Sequence, residues 1–511
     1  PDCLHWCAGP LELWADLILG ALRAFSAEGS GSLDEAHNGT RRTLQVARHP
    51  ARTRTSRTHA AHQKTGVWRN TFLNTSASSP TSALDARVSP AQHVLFHSLF
   101  KKLERGEEAV MLVLGGSMLA GIGCTPGSWT CAYPSRLAKM WPTLDGQHAP
   151  KLRVISRARG GTTTASTLPF LEYLLALDES GSAPDLILVD FSVNDARESQ
   201  DWTVDIGKEA AAAASFTRGD RVFAATEAFL RFALRKGSSA LLVVESQYYE
   251  PESLDAHRAA ASLYGVPFLA YGDCLVPPIV DAVAWGPPNS AVINWAHPPA
   301  ATHQRIAVAA AAYIAGLAHA LSGRNIENDR DSKHFQSRLD APPLAPPTLA
   351  NTFRVCDAAL STYDAKRASA ANLTSAKGPR VLRGKWVLAE DRPGKPGWIS
   401  TTPGSIASFH VRFGPSPRLV VVYTRSYQSF GDVLLSVPGY KRIGVKGPLK
   451  GKEEMEVLHG CCNADKVTQS ELQVINVAQF FKIPPNISAD VSLLFRGAKN
   501  TKFALSLVSS C

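Results

Sequence analysis

Between residues 90 and 322 the apolar positions of the chain fall in two alternating patterns. Behind Ser89-Pro90, the residues Leu95, Phe96, Leu99, Phe100 and Leu103 recur at helical spacing, so a helix with one apolar face is expected to start at the proline. Compact apolar runs then come at 109–115, 152–156, 185–191, 239–246 and 266–271, with helical patterns near 164–178, 222–235, 253–263 and 299–321 between and after them. Runs such as DLILVDF and ALLVVES do not alternate apolar with polar, which marks strands covered on both faces by crossover helices. The pattern predicts a three-layer α/β domain around a parallel sheet.

A polar, Pro-rich stretch, NIENDRDSKHFQSRLDAPPLAPPT (325–348), ends this region, and beyond it the period changes to two. SIASFHVRF, RLVVVYTRS, DVLLSV, ELQVINV, DVSLLF and KFALSLV read as short strands between turn residues, the pattern of an all-β sandwich. Upstream, residues 1–26 are compact and Trp-containing and 27–87 are of low complexity. The expected organisation is therefore 1–26, a basic linker over 27–87, an α/β domain over 88–323, a Pro-rich linker over 324–350 and a β-sandwich over 351–511, with carbohydrate binding as a role open to the last.

Length and composition fit this division: 511 residues with 45% apolar content suffice for two or three cored domains. The longest apolar run, IAVAAAAYIAGLAHAL (306–321), falls short of the ~18 residues a membrane span needs and contains His319. It reads as a buried, Ala-rich helix, and no transmembrane segment is expected. The net charge of +10 is concentrated: residues 36–84 hold eight Lys or Arg and no Asp or Glu, leaving the remainder close to neutral. That Ser/Thr/Arg-rich stretch reads as a solvated tether. It lacks aromatic interleaving and any nucleic-acid motif, so no nucleic-acid partner is expected. The chain begins at Pro1 rather than Met and reads as a processed product or a piece of a longer one.

Nine cysteines and the sequons at Asn38, Asn74, Asn372 and Asn486 point to the secretory pathway, either the Golgi lumen or the extracellular space. Cys124 and Cys131 are placed to close a short loop, and no Cys/His spacing suggests zinc.

Candidate chemistry gathers where parallel strands end. Ligands of such sheets bind beyond the carboxyl ends of the strands. LVLGGSMLAGIGC (112–124) places Ser117 there behind two glycines, which let the backbone turn sharply and leave the hydroxyl and its N–H exposed. ISRARGGTTT offers the N–H of Gly161, or less favourably Gly160, and DLILVDFSVNDA delivers the Asn194 amide to the same edge. Three such donors would stabilise a tetrahedral oxyanion. A serine needs a base, and INWAHPPAATHQRIA supplies His297 on a loop before the last helix.

In this order GGS, GGTTT, SVND and NWAHP resemble the four blocks of the SGNH (GDSL-type) hydrolase superfamily over about residues 91–322. The resemblance implies a three-layer flavodoxin-like fold, Ser117 as nucleophile, His297 as base, and an oxyanion hole of Ser117 N–H, Gly161 N–H and Asn194. It implies no metal or organic cofactor. The family usually has Asp three residues before its His, where this chain has Asn294. An amide does not offset imidazolium charge as a carboxylate does. A Ser-His dyad with a carbonyl orienting the ring, a substitute carboxylate such as Asp281 or Asp195, or weak activity would each follow. PDCLHWCAGPLELWADLILGAL, at the start of the chain, is similar to the C-terminal DCxHWC block of plant-type PC-esterases (trichome birefringence-like proteins), whose Asp-His pair would fall on Asp2 and His5. That family acts on polysaccharide O-acetyl groups.

Each of these residues also has a plain structural reading. Ser117 could be a small residue in a tight turn, Asn194 a helix cap, and His297 a surface histidine. Their joint occurrence at strand and helix ends favours chemistry. His303 reads as structural, Trp129, Trp285 and Trp295 as core or a sugar-stacking wall, and Asp190 and Asp195 as turn-formers. The expectation is a serine esterase acting on O-acyl groups, foremost O-acetyl groups of carbohydrates, with an acylated carbohydrate or small ester as its partner. The competing class is a glycan-binding or scaffolding protein with an impaired SGNH fold, and a lipase would want a larger apolar rim.

Overall fold

A computed structural model describes residues 90–122, 124, 128–144, 152–177, 182–196, 216–237, 239–246, 251–271, 297–322, 336–353, 359–365, 368, 378–391, 395–440, 455–461, 468–475 and 477–511. Asp2, His5, the basic segment 27–87, Asp281, Trp285, Asn294 and Trp295 lie outside them.

Five strands, β1 (Ala109–Gly115), β2 (Leu152–Ser156), β3 (Leu186–Asp190), β4 (Ala240–Glu245) and β5 (Phe268–Ala270), form a parallel sheet in the order β2-β1-β3-β4-β5. This is the flavodoxin-like order, with the connection reversing direction beside β1 and β3. Successive residues of β1 feed opposite layers. Met111 and Val113 pack against α1 (Pro90–Glu104), α2 (Tyr133–Leu144) and α6 (Ala300–Ser322). Leu112 and Leu114 pack against α3 (Thr164–Thr167), α4 (Arg218–Lys236) and α5 (Pro251–Leu263). Burial on both faces is why these strands carry unbroken apolar runs.

Local signals set the helices. Phe96, Leu99 and Leu103 form the buried face of α1, as the spacing predicts. α4 opens on a capping box between Thr217 and Asp220 and stops at Gly237, whose φ is 63°. The helix expected over 164–178 is broken into α3, a 3-10 turn at Leu168–Phe170 and a further turn at Leu171–Leu175. Pro169 accounts for the break, since it lacks an N–H and its ring clashes with the preceding turn.

The C-terminal part is two packed antiparallel sheets. One has the order β13-β12-β15-β10-β7, from β7 (Arg380–Arg383), β10 (Ile406–Arg412), β12 (Asp432–Ser436), β13 (Glu456–Leu458) and β15 (Ser488–Arg496). The other has the order β14-β11-β16-β9-β8, from β8 (Val387–Glu390), β9 (Pro396–Ser400), β11 (Leu419–Arg425), β14 (Gln469–Ile475) and β16 (Phe503–Ser510). β6 (Ser361–Asp364) adds to β16. Phe409, Val421, Val433, Phe495 and Leu505 meet between the sheets.

The second sheet has a second buried face. Leu419, Val421 and Tyr423 of β11 point into the sandwich, whereas Val420 and Val422, with Leu472 of β14 and Leu507 of β16, join the same apolar cluster as Leu114, Phe191 and Phe223 of the α/β layers. The chain between the two parts is held on α4. The Glu227 carboxylate accepts from the N–H groups of Leu344 and Ala345, each at 2.8 Å, and from the Tyr264 hydroxyl at 2.8 Å. Arg231 donates to the carbonyls of Leu339 and Ala341 at 2.7 Å each. Leu339, Leu349 and Phe353 are buried beneath this strap, so the later part of the Pro-rich stretch is packed structure.

Candidate active site

The carboxyl ends of β1, β2 and β3 bring three of the sequence blocks together. The chain leaves β1 through Gly115 and Gly116, and the Gly116 N–H donates to the Asp190 carbonyl at 2.9 Å. Both glycines are required for contact reasons. A Cβ on Gly115 would stand 2.0 Å from the Asp190 carbonyl oxygen, and one on Gly116 would stand 2.2 Å from Nδ2 of Asn194. The second absence of a side chain is thus the space that the Asn194 amide fills, directly beside Ser117. Ser117 is buried, and its carbonyl accepts from the Ile122 N–H at 3.0 Å as the chain coils back.

The second block is an Arg159–Thr162 turn. Arg159 N–H continues the pairing to β1 by donating to the Gly115 carbonyl at 2.9 Å, and the Thr162 hydroxyl lies 3.1 Å from the same carbonyl. Gly161 has φ of 73°, the left-handed value a type II turn demands at its third position. A Cβ on Gly160 would lie 3.7 Å from the Cβ of Ser117, so this turn borders the serine.

The third block is the single helical turn Ser192–Asp195 at the end of β3. Asn194 donates from Nδ2 to the Thr162 carbonyl at 2.8 Å. An amide carries two N–H donors, so one locks the second and third blocks together while the other can serve a further acceptor.

Asp190, at the tip of β3, is buried, accepting from the Ser192 hydroxyl at 2.6 Å, the Ser192 N–H at 3.1 Å and the Tyr133 hydroxyl at 3.0 Å. Burial raises its pKa against these hydrogen bonds. Burial and the neighbouring Asp190 charge also hold the Tyr133 hydroxyl protonated.

His297 lies half-buried on the loop that enters α6. Its surroundings fix α6 at the same edge of the sheet. His303 stacks on Tyr133 with ring centroids 6.3 Å apart, and Arg136 donates to the Gln304 side chain at 2.8 Å. His303 is buried, and burial, with the fields of Arg136 and His297, lowers its pKa from 6.5 to about 4. Trp129 packs against the apolar layer beneath. The Cys124–Cys131 disulfide ties the turn after Ser117 to the segment entering α2, the pairing the sequence suggests.

Asp195 is not available to His297. Both its carboxylate oxygens are engaged elsewhere: Oδ1 accepts from the Thr164 N–H at 2.9 Å, and Oδ2 accepts from the Thr164 hydroxyl at 2.5 Å and from Nε2 of His257 at 3.0 Å. The other ring nitrogen of His257 contacts Glu245, at the end of β4, at 2.5 Å. All three side chains are buried. Burial alone would lower the His257 pKa, but the two carboxylates overcome it and raise the value to about 10, so the ring is an imidazolium. For Glu245, burial outweighs the attraction of His257 and raises the carboxyl pKa. This clamp joins α3, the Asn194 turn, α5 and β4. The sequence reading missed His257 and Glu245. A glutamate closing an otherwise apolar parallel strand, in ALLVVES, was the available signal.

Beside the Arg159–Thr162 turn, a cleft open to solvent lies between the α/β layers and the second β sheet. Arg157, Arg159, Thr162, Lys395, Thr424 and Ser470 line it. Among the described residues, no three His, Cys, Asp or Glu side chains are grouped to hold a metal ion.

No protein-family model and no curated protein matches the chain. Solved structures do. A two-domain esterase (CEX) active on acetylated mannans superposes with a TM-score of 0.52 at 16% identity, covering 83% of this chain and 96% of that one. The esterase co-crystallised with mannopentaose superposes with a TM-score of 0.50 at 17% identity and the same coverage. At such identity the likeness is one of fold: a parallel α/β layer followed by a β domain, in one continuous arrangement. No described helix is long and apolar enough to cross a membrane.

Proposed function

We propose that this chain is a serine esterase of the SGNH type that removes or transfers O-acyl groups, with O-acetyl groups on carbohydrate as substrate. The observation that carries the reading is the convergence of Ser117, the Asn194 amide and the Gly160–Gly161 turn above one edge of the sheet. The two-domain fold shared with an esterase active on acetylated mannans supports the substrate class.

In this reading His297 takes the proton of the Ser117 hydroxyl as its oxygen attacks the ester carbonyl. The oxyanion is met by the N–H of Ser117, the N–H of Gly161 and the second amide hydrogen of Asn194. Collapse expels the sugar hydroxyl, protonated by His297, and leaves an acyl-enzyme. Water then releases acetate, or a second sugar hydroxyl accepts the acyl group. With Asp195 committed to Thr164 and His257, the orientation of the His297 ring falls to Asn294, to a carbonyl or to Asp281. The disulfide, together with an exposed sequon at Asn486, supports placement in the secretory pathway.

Acetate release from acetylated mannan, xylan and chitin fragments tests the proposal, with Ser117→Ala as control. Release by the wild type alone supports it. Folded wild type that releases no acetate but retains the glycans would favour the binding-protein reading.

A further inference from the structure

The Arg159–Thr162 turn is held from within its own domain, where the Thr162 hydroxyl also donates to the Arg159 carbonyl at 2.8 Å, and from outside it. Its internal backbone bond, Thr162 N–H to the Arg159 carbonyl, is long at 3.4 Å, whereas the Gly161 carbonyl accepts from the Ser470 N–H at 2.7 Å. Ser470 belongs to β14, the outer strand of its sheet, which pairs with β11 on one side only. Its N–H therefore comes from the free edge of the β domain. That edge is fixed in place, because Leu472 of β14 and Val422 of β11 are buried in the apolar cluster shared with Leu114 and Phe191.

The turn type matters to the chemistry. Type I and type II turns differ by rotating the central peptide by about half a revolution. Here that peptide joins Gly160 to Gly161, and its N–H is the Gly161 donor of the proposed oxyanion hole. The positive φ of Gly161 sets the direction in which this N–H points, and a rotated peptide would turn a carbonyl oxygen toward the serine instead. The Gly161 carbonyl belongs to the next peptide, whose direction the two forms share, so the Ser470 N–H fixes where the turn sits beside the serine while the positive φ of Gly161 fixes its type.

We propose that the β domain is a working part of the ester-cleaving site: the backbone N–H of Ser470 holds the Arg159–Thr162 turn in the position that brings the Gly161 N–H to the oxyanion. The inference rests on the esterase reading given above. Ser470 is a positioning residue, acting through its main chain, and docking of the β domain is coupled to turnover and not only to substrate capture.

The test compares Ser470→Pro with Ser470→Ala in the full chain. Proline removes the N–H, and it suits a free strand edge, where φ is extended and no ladder bond is lost. Alanine removes the hydroxyl and keeps the N–H. With p-nitrophenyl acetate as probe, Ser470→Ala is expected within about twofold of wild type, and Ser470→Pro to lose ~10-fold or more in kcat with KM within about twofold. A folded Ser470→Pro with wild-type kcat overturns the inference, as do equal losses in both variants. If Ser470→Pro does not fold, Leu472→Ala, which loosens the same strand against the α/β layers, is expected to lower kcat without raising KM, and unchanged kcat there overturns it. An active wild type with an unaffected Ser470→Pro refutes this inference alone. A wild type that hydrolyses nothing refutes the esterase reading itself.

Discussion

Replacing Gly116 by alanine isolates the contribution of the Asn194 amide. The added Cβ would lie 2.2 Å from Nδ2 of Asn194 and 3.5 Å from the Thr162 carbonyl oxygen. To regain ordinary van der Waals separation the amide must retreat by about 1 Å. Its 2.8 Å bond to Thr162 then lengthens or breaks, and its second hydrogen is carried away from the oxyanion. Losing one neutral hydrogen bond costs about 1 kcal/mol of stability. Losing one aligned oxyanion donor costs about 3 kcal/mol of transition-state stabilisation, or ~10²-fold in kcat. Activity should therefore fall far more than stability. The assay pairs p-nitrophenyl acetate kinetics with thermal unfolding, and Gly378→Ala in the β domain serves as comparison, because its Cβ would meet nothing nearer than Nε1 of Trp398 at 3.9 Å. Gly116→Ala with kcat near wild type and an intact fold would refute the role given to Asn194.

Other expected outcomes follow from the buried network and the strap. His257→Leu leaves Asp195 and Glu245 buried without their shared cation, and is expected to destabilise the fold by about 3–5 kcal/mol in urea unfolding. Because the His257 pKa is raised from 6.5 to about 10, its contribution is complete below pH 6.5 and is lost as pH rises toward 10; wild-type stability should decline over that range. The His303 pKa is lowered from 6.5 to about 4, so the unfolded chain gains a proton that the folded one resists; this residue's own contribution falls by about 3 kcal/mol from pH 6.5 to pH 4, is opposed by the raised Glu245 carboxyl, and is read as the difference in slope between wild type and His303→Gln. Glu227→Ala strands the N–H groups of Leu344 and Ala345, and limited proteolysis should then cut within 336–346 faster than in wild type.

The parallel sheet was legible because its strands are buried on both faces: runs such as DLILVDF have no other stable setting. The same logic applied to RLVVVYTRS would have revealed that this β strand also has two buried faces, with Val420 and Val422 turned to the α/β layers and Val421 to the sandwich. Treating it as an ordinary sandwich strand hid the contact between domains. The helix at Tyr133–Leu144, which the apolar pattern did not announce, carries Pro134 in its first turn, where the missing N–H costs little. Pro169 broke an expected helix by the same chemistry acting in the interior. At the site, GGS and SVND were readable as strand-end turns, but that Gly116 exists to admit Asn194 needs three dimensions. The His257 clamp unites residues 164, 195, 245 and 257, and no local pattern announces a partnership over such separations. Asp195 looked like a spare carboxylate for the same reason: only its partners reveal that it is occupied.

Ester cleavage at this site requires Ser117 to be a nucleophile activated by His297. Incubation of the folded protein with a fluorophosphonate, followed by peptide mass mapping, tests this directly. A single adduct on Ser117 is expected, formed by wild type and slowed at least ~10²-fold in His297→Ala. Folded wild type with no adduct, or with the adduct on another serine, would contradict it.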